Sequence, residues 1–278
     1  MSVNITAKEV NELRQKTGSG MMDCKKALVE SGGDFEKAID ILRKKGQKVS
    51  EARSNRETSE GIVIYKVSPN KDYSSILSFT CETDFVAKNE EFQDLANKIL
   101  DISFDKRLNS IDDILQLSID GNSVEQHIVN LIGKIGEKIE LREFKSLEGE
   151  KIVPYIHAGN KLGVLVALSG TESVDYVTAG KDIAMQIAAM NPIALNSDEV
   201  DQSVVDKEIE IGKEQALKEG KPENIIEKIA QGKLQKFFKE NTLLSQSFVK
   251  DNSKSVQGYL ESFSPELTVT SFLRVSIG

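Results

Sequence analysis

The stretch Ile62-Val63-Ile64-Tyr65 is followed, after the polar residues 69–72, by Ser75-Ile76-Leu77-Ser78-Phe79. Short apolar runs separated by turn residues are typical of paired strands, so we predict a β-hairpin here. A helix is predicted next, because the following apolar residues recur at the spacing of one helix face: Phe92, Leu95, Ala96, Ile99 and Leu100. This part of the chain therefore predicts a hairpin covered by a helix.

The same order returns in the second half of the chain. The strand-like runs 152–156 and 163–168 flank a turn at Gly159-Asn160-Lys161. A second helical pattern follows and contains Ala179, Ile183, Ala184, Ile187 and Ala188. We predict an α+β fold with two related core subdomains, each with an antiparallel sheet and helices, over residues 60–150 and 151–278.

Three short helices are predicted before the first hairpin, within residues 1–45. Thr6 and Glu9 form a capping-box pattern ahead of the first helix, and Asp23 is a candidate cap of the second. So small a core is marginal, which favours a docking module over a catalytic body. Residues 46–59 are polar and have no periodic apolar positions, so we predict a linker there.

A helical hairpin is predicted within the second subdomain, at about residues 200–240. Two apolar-periodic segments flank the turn Gly220-Lys221-Pro222. Their narrow apolar seam suits an antiparallel pair of helices that protrudes from the core.

The composition argues against several function classes. Acidic residues outnumber basic ones by 44 to 36 in 278 residues, a net charge of −8, which disfavours nucleic acid as a partner. The chain has neither an apolar run long enough for a membrane span nor a leader-like start, so we expect a cytoplasmic protein. The two cysteines and two histidines are too few for a disulfide framework, a structural zinc site or most acid–base enzymes. We expect no catalytic residue, metal or cofactor.

Two glycine-containing loops, residues 18–23 and residues 159–163, do not match a phosphate-binding loop. Residues 18–23 follow no predicted strand, and residues 159–163 lack the Gly-Lys-Ser/Thr ending. Direct nucleotide binding is therefore not expected. The pattern leaves two interpretations of Met21 and Met22 equally open: they complete the small helical core, or they form a binding surface.

The stretch Cys81-Glu82-Thr83-Asp84-Phe85-Val86-Ala87-Lys88-Asn89 joins a predicted strand to a helix. In a structural interpretation, which the pattern alone favours by about two to one, Thr83 or Asp84 caps the next turn and Phe85 fills the core. In a functional interpretation, Phe85 is exposed beside a carboxylate and inserts into a pocket of a partner protein.

Four segments together resemble the elongation factor Ts family of bacterial translation factors. They are residues 13–28, residues 81–89, His157 with Gly163-Val164-Leu165-Val166, and residues 220–225. The segments occur in the order of the family and extend over nearly the whole chain. The first two are highly specific signatures.

The resemblance implies a guanine nucleotide exchange factor for the GTPase elongation factor Tu, which acts by binding and performs no covalent chemistry. It also implies that the N-terminal helices are a ubiquitin-associated-like domain that docks on the GTPase, and that the helical hairpin is a coiled coil. The matching partner-binding residues are Leu13, Arg14, Met21, Met22, Lys25 and His157. The matching segment that displaces Mg²⁺ from the partner is Thr83, Asp84, Phe85 and Val86.

The chain departs from the family pattern at a few positions. Ser19 stands where alanine is usual, Asn160-Lys161 where glycine and arginine are common, and Ser247 where proline is common. Because the sequence stops at Gly278, we expect the C-terminal helical module of some members to be absent.

Two alternatives to the exchange factor stay open. One is a ubiquitin-associated-like binding module without exchange activity, which leaves the stretch 83–89 unexplained. The other is an enzyme that uses Cys81 as nucleophile and His157 as base, although no third orienting residue is evident.

Overall fold

The computed structural model describes residues 4–278. The sequence-based expectations for residues 1–3, the start of the first helical unit and of any leader, lie outside the described residues. Within residues 4–278 helices and antiparallel strands are both abundant, so the predicted α+β class is confirmed. No helix in this part of the chain is long and apolar enough to cross a membrane.

The described chain begins with α1 over Ala7–Thr17, α2 over Met21–Glu30 and α3 over Phe35–Arg53. The predicted capping box is present: the Thr6 side chain accepts from the Glu9 amide, and the Glu9 carboxylate accepts from the Thr6 amide at 2.7 Å. Gly18 ends α1 in the left-handed conformation, with φ 67°, which glycine adopts without steric strain. The likeness of these helices to a ubiquitin-associated domain stays a prediction.

The predicted start of α2 at Asp23 is wrong. Gly20 occupies the N-cap position, and Asp23 lies within the first turn, 2.5 Å from the Lys45 ammonium. A carboxylate in a first turn interacts favourably with the positive end of the helix dipole, so Asp23 supports the helix from inside it. Met21 and Met22 therefore lie on the first turn of a helix and not on an interhelical loop.

The first half of the core contains a three-stranded antiparallel sheet, in the order β1-β2-β5. In chain order its elements are β1 (Glu60–Val67), β2 (Tyr73–Cys81), α4 (Asp84–Ala87), α5 (Glu90–Asp105), α6 (Ile111–Leu115), β3 (Ser118–Ile119), β4 (Asn122–Ser123), α7 (Val124–Ile135) and β5 (Ile139–Glu148). The hairpin β1–β2 and the helix α5 are as predicted. Strand β5 was not predicted: a register shift against β2 places its buried residues Leu141 and Phe144 three positions apart, so strict alternation is lost.

The linker predicted over residues 46–59 is wrong for residues 46–53, which continue α3. This part of α3 packs closely on α7: a Cβ atom added to Gly133 would lie 2.9 Å from the Gly46 Cα. Residues 54–59 are not free either, because Thr58 is buried and its hydroxyl donates to the Glu140 carboxylate at 2.6 Å. Tertiary contacts, and not a local apolar pattern, order this polar segment.

The second half of the core contains another three-stranded antiparallel sheet, in the order β6-β7-β10. In chain order its elements are β6 (Lys151–Ile156), β7 (Leu162–Ser169), α8 (Tyr176–Met190), a 3₁₀ turn (Ser197–Glu199), α9 (Gln202–Lys218), α10 (Glu223–Asn241), a second 3₁₀ turn (Leu243–Ser245), β8 (Ser247–Phe248), β9 (Asp251–Ser255), α11 (Val256–Glu261) and β10 (Thr268–Ser276). Both sheets therefore have the second strand of a hairpin at the centre and the third strand paired to it.

The two sheets pack on each other. A cluster of buried residues between them contains Val63, Ile76, Leu147, Ile152, Leu165, Ala167, Val275 and Ile277. A separate cluster around Phe79 and Phe92 lies under the helices of the first half, and one around Leu168 and Ile183 lies under those of the second. The two related core subdomains are thus confirmed in topology, while their exact boundaries stay predictions.

The helical hairpin consists of α9 and α10, as predicted. The helices are antiparallel, because only residues 219–222 connect them and α10 must return alongside α9, where Lys213 pairs with Glu227 at 2.6 Å. Small residues form the contact: a Cβ atom added to Gly212 would lie 3.1 Å from the Ala230 Cα. Gly220 connects the helices with φ 69°.

Candidate functional site

The turn that follows β2 presents an exposed aromatic ring. Phe85 is 82 % exposed, and it lies on α4, a helix of four residues. The expectation that Phe85 fills the core is therefore wrong, and the functional interpretation fits its exposure. A helix of one turn is not stable by its own hydrogen bonds, so contacts outside it must fix this segment. We call residues 82–88 the Phe85 turn.

Glu137 holds the start of the Phe85 turn. The Thr83 hydroxyl donates to one oxygen of the Glu137 carboxylate at 2.8 Å, and the Thr83 amide donates to the other at 3.0 Å. Thr83 lies at the N-cap of α4 but makes no capping hydrogen bond with its side chain, so the expected capping role is wrong. Gly136 ends α7 with φ 84° and reverses the chain, which lets Glu137 reach Thr83.

Glu82 ties the same turn to two further elements. Its carboxylate accepts from the Arg53 guanidinium at 3.1 Å, at the end of α3, and from the Lys138 amide at 2.7 Å, just before β5. Hydrogen bonds with a charged partner are stronger than neutral ones, so the chain just before Thr83 is firmly fixed. The Phe85 turn is thereby connected to the N-terminal helices.

Burial holds the other end of the Phe85 turn. Val86 and Ala87 are each 7 % exposed and pack in the cluster under the first sheet. The expectation that Val86 takes part directly in displacing Mg²⁺ is therefore corrected: its side chain faces the core and anchors the turn. Phe85 thus projects from a segment that is fixed on both sides.

Asp84 lies next to Phe85 and is exposed. The Lys88 ammonium lies 2.7 Å from its carboxylate, and this hydrogen bond holds the pKa of Asp84 below its usual value. Asp84 is therefore charged at neutral pH and available for a polar contact beside the ring.

Cys81 and His157 do not form a catalytic pair. Cys81 is fully buried and its thiol donates to the Thr83 carbonyl at 3.2 Å. Burial is the main cause that raises the pKa of this thiol to about 12, and the charge of Glu137 adds to it. The His157 Nδ1 instead lies 2.8 Å from the Tyr155 hydroxyl. Because a buried protonated thiol is not a nucleophile, the hypothesis that Cys81 and His157 act as nucleophile and base is wrong.

His157 is exposed at the end of β6, and its turn is fixed against β1. The Val63 amide donates to the Asn160 carbonyl at 2.7 Å, and Lys161 pairs with Glu60 at 2.6 Å. Between this turn and the Phe85 turn lies an open cleft of about 540 Å³, whose lining includes Glu60, Ile62, Asp84, Lys88, Asn160 and Lys161. The second subdomain therefore contributes a polar edge close to the Phe85 turn.

The N-terminal helices contribute a second exposed apolar surface. Met21 is 56 % and Met22 is 63 % exposed, so they do not complete the helical core. We call this pair the methionine face. Arg14 and Lys25 are exposed as well.

Leu13 is the exception among the expected partner-binding residues. It is fully buried in the core of the three helices, so a direct contact with a partner is excluded and Leu13 supports the fold instead.

Sequence reasoning missed the residues that fix the Phe85 turn, above all Glu137, Glu82 and Arg53. Gly136 signals that α7 ends, but no local pattern shows where the next side chain goes. Thr83 and Glu137 are 54 positions apart, and Arg53 and Glu82 are 29 apart. Only the folded chain brings these groups together.

Comparison with protein families matches residues 82–278 to the model described as Elongation factor TS. Elongation factor Ts of Amoebophilus asiaticus is 53 % identical over 274 residues, which cover 99 % of this chain and 99 % of the relative. The chain belongs to the elongation factor Ts family. Elongation factor Ts of Cytophaga hutchinsonii is 54 % identical over 274 residues, with 98 % and 99 % covered, and that of Christiangramia forsetii is 51 % identical over 275 residues, with 99 % of each covered.

The predicted resemblance is confirmed, and a role in translation elongation follows from membership of the elongation factor Ts family. The family match begins at Glu82 and includes both the Phe85 turn and Glu137. The N-terminal helices lie before that match, but the elongation factor Ts relatives cover nearly the whole chain and include them.

Proposed function

We propose that this protein binds the GTPase elongation factor Tu in the cytoplasm and promotes GDP release by displacing Mg²⁺ from the nucleotide site of the GTPase. The observation that carries the proposal is the 82 % exposed ring of Phe85 on a turn fixed at both ends. Exposed rigid aromatic residues are typical anchors of protein interfaces. Family membership supports the same activity.

The proposed mechanism needs no covalent step. Phe85 enters the partner near the nucleotide site and displaces groups that hold Mg²⁺, while the charged Asp84 contacts polar groups beside it. Without the cation, the negative charges of the diphosphate lose their compensation, and GDP binds more weakly. If this protein weakens GDP binding by some factor, GDP must weaken the binding of this protein by the same factor. Abundant GTP then refills the site and releases the exchange factor.

The methionine face, with Arg14, Lys25 and His157, is proposed to bind the same GTPase outside its nucleotide site. Flexible methionine side chains adapt to an apolar surface, and the two cations offer charge-assisted contacts around them. The ring of His157 is held by Tyr155 and faces solvent. These contacts supply binding energy, which leaves the Phe85 turn free to act on the nucleotide site.

The test is release of a fluorescent GDP from bacterial elongation factor Tu, with unlabelled nucleotide in excess and this protein in substoichiometric amount. Acceleration with turnover supports the exchange function. Rising Mg²⁺ concentration should reduce the acceleration, because the cation and the Phe85 turn oppose each other. A stable complex without acceleration would contradict the proposal and favour the binding module without exchange activity.

A further inference from the structure

The contact between Thr83 and Glu137 has a counterpart in the second half of the core. Thr171 follows the end of β7 by two residues, as Thr83 follows the end of β2. The Thr171 amide donates to the Glu150 carboxylate at 3.0 Å, and its hydroxyl donates to the same carboxylate. The other oxygen of Glu150 accepts from the Gly170 amide at 3.2 Å. The fold thus holds two turns at corresponding positions, each with a threonine that donates both its amide and its hydroxyl to a glutamate.

The residue that each contact supports is different. Two positions after Thr83 comes Phe85, whose ring is almost fully exposed, whereas two positions after Thr171 comes Ser173. Only the first contact therefore holds an exposed aromatic residue.

We propose that Glu137 is a positioning residue for nucleotide exchange: through Thr83 it fixes the direction in which Phe85 projects. This inference rests on the proposed function of Phe85. Both carboxylate oxygens of Glu137 accept hydrogen bonds from Thr83, so Glu137 acts through the turn.

The geometry of the contact explains how one carboxylate orients a ring two residues away. Both oxygens of Glu137 bind donors of the same residue, and such two-point contacts restrict rotation as well as distance. Val86 and Ala87 are held by the core on the other side of Phe85. The backbone of residues 84 and 85 is therefore confined between two fixed points.

The energetic argument concerns the free protein. An exposed ring makes few contacts that order its own backbone, so the turn must be ordered by other means before binding. A turn that is already ordered loses less entropy when it enters a partner, and the difference improves binding in the reactive complex. Loss of the Glu137 contact should therefore affect the exchange step more than the initial encounter.

The test compares Glu137→Ala with Glu150→Ala in the GDP-release assay. Glu150→Ala removes the same kind of contact and the same charge, but from a turn without an exposed aromatic residue. For Glu137→Ala we expect the maximal stimulated rate to fall about 10-fold, while the half-saturating concentration changes less than about 2-fold. For Glu150→Ala we expect both quantities to stay at the wild-type values.

Two further variants separate positioning from general stability. Glu137→Gln keeps one oxygen that accepts from Thr83, so it should retain more activity than Glu137→Ala, with a loss of about 3-fold. It also replaces Glu137→Ala if that variant does not fold. In the background Phe85→Ala, the additional change Glu137→Ala should cause no further loss, because a positioning residue has no effect once the residue it positions is gone.

Amide hydrogen exchange of the free protein gives a readout that does not depend on the partner. The Thr83 amide should exchange about 10-fold faster in Glu137→Ala, since its acceptor is lost. Equal effects of Glu137→Ala and Glu150→Ala on the maximal rate, or a wild-type rate in Glu137→Ala, would overturn the positioning role alone. If the wild-type protein does not stimulate GDP release, the proposed function fails. The positioning role in nucleotide exchange then fails with it, whatever the hydrogen-exchange rate of the Thr83 amide.

Discussion

The turns after β2 and after β7 have a similar local structure but expose different residues. Each contains a threonine bound by a glutamate carboxylate, Thr83 by Glu137 and Thr171 by Glu150. Thr171 is buried, and the residues after it lead directly into α8, whose first turn is capped by Asp175. Thr83 is followed by an exposed ring. The two turns thus share a carboxylate–threonine contact, whereas an exposed aromatic ring follows the first and not the second.

The Phe85 turn, in addition, is connected to the N-terminal helices. The Phe85 turn is joined to α3 by the Arg53–Glu82 ion pair, and α3 packs on α7 where Gly46 meets Gly133. The methionine face and the Phe85 turn are thus parts of one connected structure, without a flexible linker between them. The distance between the two proposed contacts with the partner is consequently set by the fold.

The largest expected effect distinguishes the exposed residues of the two turns. We expect Phe85→Ala to lower stimulated GDP release about 100-fold, the size typical of a truncated aromatic anchor. Ser173→Ala, at the equivalent position of the second turn, should leave the rate unchanged. The thermal midpoint of Phe85→Ala should stay near the wild-type value, because the ring makes little contact with the core. Equal release rates for Phe85→Ala and the wild type would remove the functional difference between the turns.

A smaller effect tests whether α3 and α7 form a rigid connection behind the Phe85 turn. Gly133→Ala places a Cβ atom 2.9 Å from the Gly46 Cα and should lower the free energy of unfolding by about 2 kcal/mol. The matched control is Gly232→Ala in α10, where a Cβ atom meets nothing within 4 Å and should stabilise the helix by up to about 1 kcal/mol. Urea denaturation measures both changes. A stabilising effect of Gly133→Ala would show that the two helices move apart easily.

The methionine face should respond less than Phe85 and in a different quantity. We expect Met21→Ala with Met22→Ala to weaken the complex with elongation factor Tu about 10-fold and to leave the maximal exchange rate nearly unchanged. Point variants are preferable to removal of residues 1–45, because that truncation would cut α3 in its middle. Calorimetric titration measures the dissociation constant.

Leu217→Ala is the control for the methionine face, because Leu217 is 55 % exposed on the hairpin of the second half. It should bind like the wild type. A comparable loss of affinity would show that the helical hairpin also contributes to binding.

The smallest expected effect concerns the Cys81 thiol at the base of the Phe85 turn. With a pKa of about 12, only about one thiol in ten thousand is ionised at pH 8, so alkylation of the folded protein should be negligible. The pKa of the Cys81 thiol is higher in the folded than in the unfolded protein. Its contribution to the free energy of unfolding is therefore fully present below the unfolded pKa, and it is lost as the pH rises towards the folded pKa of about 12.

Iodoacetamide labelling followed by mass spectrometry checks the reactivity of Cys81, and the urea-unfolded chain provides the positive control. Cys81→Ala should reduce the fall in stability at high pH. Rapid labelling of native Cys81 at neutral pH would contradict the buried, protonated thiol and reopen the catalytic interpretation.

Local patterns predicted much of this structure because they report contacts between near neighbours. The hairpin β1–β2, the face of α5 and the pair α9–α10 each follow from the spacing of apolar residues within a short window. Strand β5 was not predicted, because a register shift interrupts the alternation of its buried and exposed residues. Leu13 and Val86 lie in motifs that match the family, yet a motif does not show which of its side chains face the core.

The sequence by itself determined the class of the fold, its repeated hairpins, the helical hairpin and the family. It also placed Phe85 in a distinctive segment, but its pattern did not decide whether the ring is buried. The tertiary structure decided that point, and it decided that α3 extends to Arg53 and that Glu137 holds Thr83. The physical reason is distance along the chain: Thr83 and Glu137 are 54 residues apart, and their contact exists only once β2, α7 and β5 have packed together.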